Sequence, residues 1–267
     1  MRTISATQRN WVNQRIQEAL AKRFPKADIK VKTITGQVEG AYAWLTANYI
    51  NGSFIHNQKT TGIMDLGGAS TQITYASQTG DKLFKVAVGN QEFTLSSTSY
   101  LGLGQNLAIS QYLNQSACFP KNYPLPNGLK GTGEFDECAA KIEPLINRVH
   151  SVNTGTSRPE KNSAFYAISS FFYTGSELGI NDTFSLSNLE AVGRDFCSQQ
   201  WSDVEQGKSH YLYTPHVYAN CFAAAYQHAL LSKGYQLADD TNNIKVLNEL
   251  NGKAISWTLG PVLAPDL

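Results

Sequence analysis

The sequence holds no apolar run approaching the roughly 18 residues that cross a bilayer, so nothing in its 267 residues reads as a membrane span. Its start, Met1-Arg2-Thr3-Ile4, lacks an apolar leader and gives no export address. Net charge is missing too: 22 Lys plus Arg face 21 Asp plus Glu. Without a basic field there is no electrostatic footprint for nucleic acid or for an anionic membrane surface. Internal repeats, low-complexity tracts and clear linkers are absent. Cysteine is scarce, four in all, without CxxC spacing. The histidines His56, His150, His210, His216 and His228 have no ligand-like spacing either, which argues against zinc. Charged residues make up only 16% against 42% hydrophobic, so the chain is globular with a sizeable core, in one large domain or two smaller ones.

What is present begins with the cysteines. They fall into two close pairs, Cys118 with Cys138 and Cys197 with Cys221. The closeness favours two local disulfides and an oxidising compartment; four buried thiols in a cytosolic protein is the alternative.

The densest feature is Ile63-Met64-Asp65-Leu66-Gly67-Gly68-Ala69-Ser70-Thr71-Gln72-Ile73. It predicts a strand ending in an acid, a tight glycine loop, and a second strand with polar side chains. Gly67 and Gly68 permit positive φ, and without Cβ atoms they let backbone N–H groups approach a ligand. Successive N–H groups in such a turn form a concavity suited to phosphate. Asp65 is placed to hold a metal ion, directly or through water. Ser70 and Gln72, two apart, share one strand face. The plain alternative is a Gly-Gly hairpin with a polar rim, because short glycine motifs are weak evidence alone.

Along the chain, residues 5–24 predict a helix with the apolar stripe Trp11, Val12, Ile16, Ala19, Leu20 and Phe24, stopped by Pro25. Residues 29–34 predict a strand. After Gly36 a second helix runs from Gln37 to about Tyr49. Strands follow at 83–88 and 92–95, a helix at 101–113, and a Pro-, Gly- and Asn-rich loop at 118–138. A helix is expected at 139–150, a buried aromatic strand at 165–173, and helices at 187–200 and 218–232. A strand-rich run followed by helices is one half of an α/β domain.

Several stretches agree on one family. Gln37-Val38-Glu39-Gly40-Ala41-Tyr42-Ala43-Trp44 with Ala47-Asn48-Tyr49, then Asp65-Leu66-Gly67-Gly68-Ala69-Ser70-Thr71-Gln72, then Phe196-Cys197 with Trp201 and Cys221-Phe222, then Trp257-Thr258-Leu259-Gly260, resemble signature segments of the apyrases. These are the nucleoside triphosphate diphosphohydrolases of the actin and hexokinase superfamily. The resemblance runs from about Thr33 to the end. The Asp65–Gln72 segment alone is shared with polyphosphatases; the combination is more specific. The family's first signature, an Asp-x-Gly-Ser-Thr loop, has no counterpart, and Met1-Arg2 looks like the last two letters of the second. The expectation is that Met1 is internal to a longer protein, and that this chain alone is poorly soluble and inactive.

The resemblance implies an α/β, actin-like (ribonuclease-H-like) fold of two domains with the nucleotide in the cleft between them. Residues 36–253 would be the second domain, and 1–35 with 254–267 the remainder of the first. It implies stepwise, metal-dependent hydrolysis of nucleoside tri- and diphosphates to the monophosphate by direct attack of water. Glu39 would be the general base, with Ser70 and Gln72 orienting the water. Gly67, Gly68, Ala69 and Ser70 would bind phosphate. Asp65 would hold Mg²⁺ or Ca²⁺ through water, in keeping with their oxygen preference. Tyr226 matches the family's base-stacking tyrosine, and Trp257 reads as core at the domain junction. The Cys197–Cys221 pair matches the fifth segment. With no membrane anchor at its C-terminus, the chain resembles soluble secreted or periplasmic bacterial members, and a monomer is expected. Two rivals stand beside this: an exopolyphosphatase-like enzyme, and a non-catalytic nucleotide-binding module.

Overall fold

The computed structural model describes residues 1–55, 58–79, 83–160, 163–237 and 243–267, the side chain of Asn243 excepted; His56 lies outside the described residues. The chain opens with α1 (Ala6–Arg23). Ser5 starts it with a reciprocal cap: its Oγ accepts from the Gln8 N–H at 3.2 Å, and Gln8 Oε1 accepts from the Ser5 N–H at 3.2 Å. Lys22 and Arg23 in the last turn complement the helix dipole. No residue of α1 is buried.

The strand expected at 29–34 does not form. Its backbone meets side chains instead: the Val31 N–H donates to Gln17 Oε1 at 3.2 Å. β-branched residues favour a pleated strand only where a ladder partner exists, and among the described residues none pairs with this stretch. Next comes α2 (Gly36–Ile50), capped by Thr35, whose hydroxyl accepts from the Val38 N–H at 3.2 Å.

Strands β1 (Gly62–Leu66), β2 (Ser70–Ala76), β3 (Leu83–Val88) and β4 (Gln91–Leu101) form an antiparallel run. β4 is longer than its sequence suggested and absorbs the start of the helix expected from 101, which shrinks to α3 (Gln105–Ser110). Gly102, at φ 99°, separates the two. Then come α4 (Phe135–Pro144) with a π turn over Leu145–Val149, a short α5 (Val152–Gly155), and β5 (Ala164–Ser169). The aromatic run expected as one strand to Tyr173 divides at Ser169, and Ser170–Glu177 is the helix α6. Helices α7 (Leu186–Ser198), α8 (Trp201–Glu205) and α9 (Asn220–Ala229, with a π turn over Leu230–Gly234) complete the helical side. A strand the sequence did not announce, β6 (Asn243–Val246), pairs parallel with β5. The tail makes a small hairpin between Glu249–Leu250 and Lys253–Ala254, a 3-10 turn at Trp257–Leu259, and α10 (Gly260–Leu263).

The sheet order is β3-β4-β2-β1-β5-β6, with β1, β5 and β6 parallel. Strand alternation sorts the core into two halves. From β1 and β5, Met64, Leu66, Phe165 and Ala167 enter the larger apolar cluster with α4, α7 and α9. Ile63, Tyr166 and Ile168 point the other way, into the cluster built on α2. There buried Trp44 lies 5.6 Å from Phe54 and 5.4 Å from Phe93, ring to ring. The tail packs on this same face: Ile255 and Ala264 are buried in it, Trp257 packs against it, and Tyr42 Oη donates to the Leu267 carbonyl at 3.0 Å. Both disulfides, Cys118–Cys138 and Cys197–Cys221, are formed. Among the described residues no helix is long and apolar enough to cross a membrane.

Candidate active site

Strand parity puts the polar residues of the hairpin together. Asp65 of β1 pairs in register with Gln72 of β2, and Gln72 pairs with Ser99 of β4. These three and Ser70 face the α2 side of the sheet. α2 reaches them because two of its first residues have no side chain. A Cβ on Gly36 would fall 2.1 Å from Ser99 Oγ, and one on Gly40 2.4 Å from Thr74 Oγ1. The close approach brings Glu39, in the first turn of α2, onto the sheet.

The contacts are direct. Gln72 Nε2 lies 2.9 Å from Glu39 Oε2, 2.9 Å from Ser70 Oγ and 3.0 Å from Ser99 Oγ. So Glu39, Ser70 and Gln72, separated in sequence, form one hydrogen-bonded group. Two further residues belong to it that sequence reading missed. Arg2 pairs with the Glu39 carboxylate, and its Nη2 donates to Ser70 Oγ at 2.9 Å while Nη1 lies 3.4 Å from Ser99 Oγ. Ser99 had one visible signal, the polar run Ser96-Ser97-Thr98-Ser99 on a strand facing β2. Arg2 had none beyond its likeness to a signature remnant.

Burial pushes the Glu39 carboxyl above its ordinary range; the Arg2 guanidinium opposes this and the charge of Asp65 adds to it. A carboxylate made more basic by its surroundings is a better proton acceptor. Asp65 is buried, which also pushes its carboxyl up, against a hydrogen bond from Ser169. Among the described residues its Oδ1 has no hydrogen-bond partner.

The loop between β1 and β2 is a tight turn, with the Gly67 N–H donating to the Ser70 carbonyl at 3.0 Å. Its carbonyls point into the fold: Gly67 O accepts from the Gln105 N–H at 2.9 Å, Gly68 O from Leu107 at 3.0 Å, and Ala69 O from Gly102 at 2.8 Å. Gly68 and Ala69 are exposed. Neither Gly67 nor Gly68 takes a positive φ, so the left-handed freedom expected of them is not what shapes the turn. The glycine the loop depends on is Gly104, where a Cβ would fall 2.2 Å from the Ala69 nitrogen and 2.3 Å from the Gly68 carbonyl carbon.

Tyr226 requires a correction. It is 0% exposed, its hydroxyl donates to the Leu103 carbonyl, and its ring stacks on Phe222 at 5.5 Å. The run Asn220–Gln227 is buried throughout, because α9 is covered by the helices around it. A ring already covered by Phe222 in the core offers no face to a base. The exposed aromatic nearest in the chain to the Asp65 contact is Tyr173 on α6, 62% exposed and four residues after Ser169.

In fold, the chain is an α/β protein of the actin-like class. It superimposes on the nucleoside triphosphate hydrolase structure from Neospora caninum with a TM-score of 0.62 at 16% identity, covering 87% of this chain and 64% of that one. It also superimposes on the Ppx/GppA phosphatase of Aquifex aeolicus with a TM-score of 0.53 at 10% identity, covering 95% of this chain and 70% of that one. By sequence the chain belongs to the GDA1/CD39 (nucleoside phosphatase) family, which it matches over residues 1–265. Human ectonucleoside triphosphate diphosphohydrolase 3 is 29% identical over 298 residues, 86% of this chain and 55% of that protein. The nucleoside-triphosphatase ntp-1 of Caenorhabditis elegans is 25% identical over 310 residues, 98% of this chain and 56% of that protein. The chain thus spans about half the length of the curated relatives it matches.

Proposed function

We propose that this chain carries the general base and one phosphate loop of a metal-dependent hydrolase that converts nucleoside tri- and diphosphates to the monophosphate. The observation that carries the reading is the group formed by Glu39 Oε2, Ser70 Oγ and Gln72 Nε2 within 2.9 Å contacts. Phosphoryl transfer asks the protein mainly for positioning and charge neutralisation. Ser70 and Gln72 orient a water beside the terminal phosphorus; Glu39 accepts its proton as the oxygen attacks, and the bond from phosphorus to the bridging oxygen breaks, releasing inorganic phosphate and the nucleotide shortened by one phosphate. No phosphoenzyme forms. The N–H groups of the exposed Gly68–Ala69 turn cradle the phosphate oxygens, whereas the Gly67 N–H, expected to join them, is given to the Ser70 carbonyl. The orphaned Oδ1 of buried Asp65 fits a hydrated divalent cation, Mg²⁺ or Ca²⁺, held through water. Among the described residues no three ligating side chains cluster, which suits an ion that keeps most of its water. When bound, the cation neutralises developing charge on the phosphate.

Residues 1–35 and 254–267 are read as part of a first domain, supported for the former by the exposure of α1. The two disulfides support an oxidising, secreted or periplasmic setting.

Phosphate release from ATP, ADP and inorganic polyphosphate, each with Mg²⁺, with Ca²⁺ and with EDTA, by this chain with an N-terminal segment carrying the first phosphate loop restored ahead of Met1, tests the reading. Release from both nucleotides, abolished by EDTA, is expected. Release from polyphosphate alone would favour the exopolyphosphatase alternative, and release indifferent to EDTA would remove the cation from the scheme.

A further inference from the structure

We infer that Ser99 of β4 is a positioning residue for Gln72: its hydroxyl holds one N–H of the Gln72 carboxamide, which frees the Ser70 hydroxyl for the attacking water. This rests on the reading of Glu39, Ser70 and Gln72 as the group that activates that water.

The surroundings of Gln72 decide which end of its amide faces which way. Glu39 Oε2 lies 2.9 Å from Nε2 and also meets the Arg2 guanidinium. An ionised carboxylate only accepts hydrogen bonds, so the nitrogen is the end turned toward it. Among the described residues Gln72 Oε1 accepts no hydrogen bond. The amide oxygen is thus the end left for a water to donate to.

The nitrogen end is oversubscribed. Three oxygens surround Nε2: Glu39 Oε2 and Ser70 Oγ at 2.9 Å each and Ser99 Oγ at 3.0 Å. A carboxamide has two N–H groups, so one of the three oxygens goes without. Ser70 Oγ already accepts from Arg2 Nη2 at 2.9 Å. With the two amide N–H groups given to Glu39 and Ser99, Ser70 keeps its own proton and a lone pair for the water. Without Ser99, the second N–H turns to Ser70 and uses that lone pair up.

Ser99 is placed for this task by the sheet. It is the direct ladder partner of Gln72, a pair whose Cβ atoms stand about 4.5–5.5 Å apart, so backbone register fixes their distance. Ser97, two residues earlier on the same face, does something different: it meets Thr74 Oγ1 at 2.7 Å and donates to the Gln37 carbonyl at 3.0 Å, seating the first turn of α2. One strand therefore sends one hydroxyl to the helix that carries Glu39 and the next to the amide beside it. The residue at 99 must also be small, since even a Cβ on Gly36 would fall 2.1 Å from Ser99 Oγ.

The rival role for Ser99 is to accept from Arg2, whose Nη1 lies 3.4 Å away. The two roles separate in a double-mutant cycle. ATP hydrolysis with Mg²⁺ is measured for the protein with its N-terminal segment restored, as wild type, Ser99→Ala, Gln72→Ala and the double variant. Ser99→Ala should lower kcat by about 10- to 100-fold, the scale of a small misplacement of a catalytic group, with KM and the thermal midpoint unchanged. On the Gln72→Ala background the same substitution should change nothing further, because no amide is left to hold. An equal loss of kcat in both backgrounds overturns the inference and gives Ser99 a role independent of Gln72. Wild-type kcat in Ser99→Ala, or a change in KM alone, also overturns it and leaves the reading of Glu39, Ser70 and Gln72 standing. A wild type that releases no phosphate from ATP defeats that reading itself, and this inference with it.

Discussion

Helices α1 and α2 are of similar length and meet opposite fates. α1, 18 residues long, buries none of them; α2, 15 residues long, buries Gly36 and every residue from Gly40 to Asn48. α1 has the stronger local signals: a reciprocal cap, basic residues at its end and an apolar stripe. α2 has glycine at two of its first five positions, which local propensity disfavours. What α2 has instead is a place to pack, and its two glycines are the reason it fits. The candidate site sits where the contrast is sharpest. Glu39 rides on the helix that packs, and Arg2, just ahead of the helix that does not, reaches across to it. Local helix strength and contribution to the site are thus separate properties here.

The largest expected effect is at Glu39. Glu39→Gln keeps the shape and an oxygen that can accept from Gln72 and Arg2 but removes the basicity, so kcat should fall by about 10²- to 10⁴-fold. Affinity for a non-hydrolysable nucleotide and the thermal midpoint should hardly move. If the variant keeps more than about a tenth of kcat, α2 is a scaffold and its carboxylate is not the base.

Within the same helix, Trp44→Ala tests packing without touching the chemistry. Trp44 is fully buried between Phe54 and Phe93, and truncating such a ring typically costs about 3–5 kcal/mol. Chemical denaturation should show a loss of that size. A loss below about 1 kcal/mol would mean that the α2 side of the sheet relaxes far more readily than a close-packed core does.

Sequence made much of this visible, and where it failed the reasons are physical. The Asp65–Gln72 hairpin was readable because its acid, glycines and alternating polar residues are consecutive, and the helix carrying Glu39 because a long apolar run follows a breaker. The 29–34 strand was misread because β propensity says nothing about whether a partner strand is there. The break at Ser169 was invisible because an aromatic run reads the same as strand or helix until a backbone torsion divides it. Tyr226 was misplaced because a tyrosine at helical spacing looks alike on an open face and in a core; only its packing on Phe222 decides. Arg2 and Ser99 escaped because each enters the site through a contact with residues far away in the chain, 37 positions in the case of Arg2 and Glu39.

The bridge between the two helices gives the next effect. Burial and Asp65 already hold the Glu39 carboxyl above its ordinary range, and Arg2 counters them. Arg2→Met removes the counterweight, so the native carboxyl rises further while that of the unfolded chain stays near pH 4. The native state then binds the proton more tightly than the unfolded one over a wider window, and stability falls as pH rises through it. The variant should match the wild type near pH 3, below the unfolded-state value, where Glu39 is protonated in both states, and be less stable at pH 7. A half-buried pair lies between exposed and fully buried ones, so about 1–2 kcal/mol is expected. Urea unfolding of both proteins at pH 3 and 7 reads this directly, and a difference independent of pH would mean that Arg2 acts through packing alone.

The smallest effect belongs to α1 itself. Trp11 is 61% exposed, with the Arg15 guanidinium 5.6 Å from its ring. An exposed cation–π contact contributes about 0.5–1 kcal/mol, and surface substitutions away from special features usually stay within about 0.5 kcal/mol. Trp11→Ser should therefore change the unfolding free energy by no more than about 1 kcal/mol, a fraction of the Trp44→Ala loss. The stripe does not stop at Trp11: Ile16, Leu20 and Phe24 are exposed along the same helix. A contiguous apolar face of this kind usually marks a surface that something covers. If Trp11→Ser costs more than about 2 kcal/mol, in the range of a truncated core side chain, the face is buried in solution. In that case the loss should grow on dilution if a second copy of the chain is what covers it, since stability gained through association depends on concentration. A small loss, constant over a hundredfold dilution, leaves α1 as the solvent-facing helix of the pair and keeps the contrast with α2 intact.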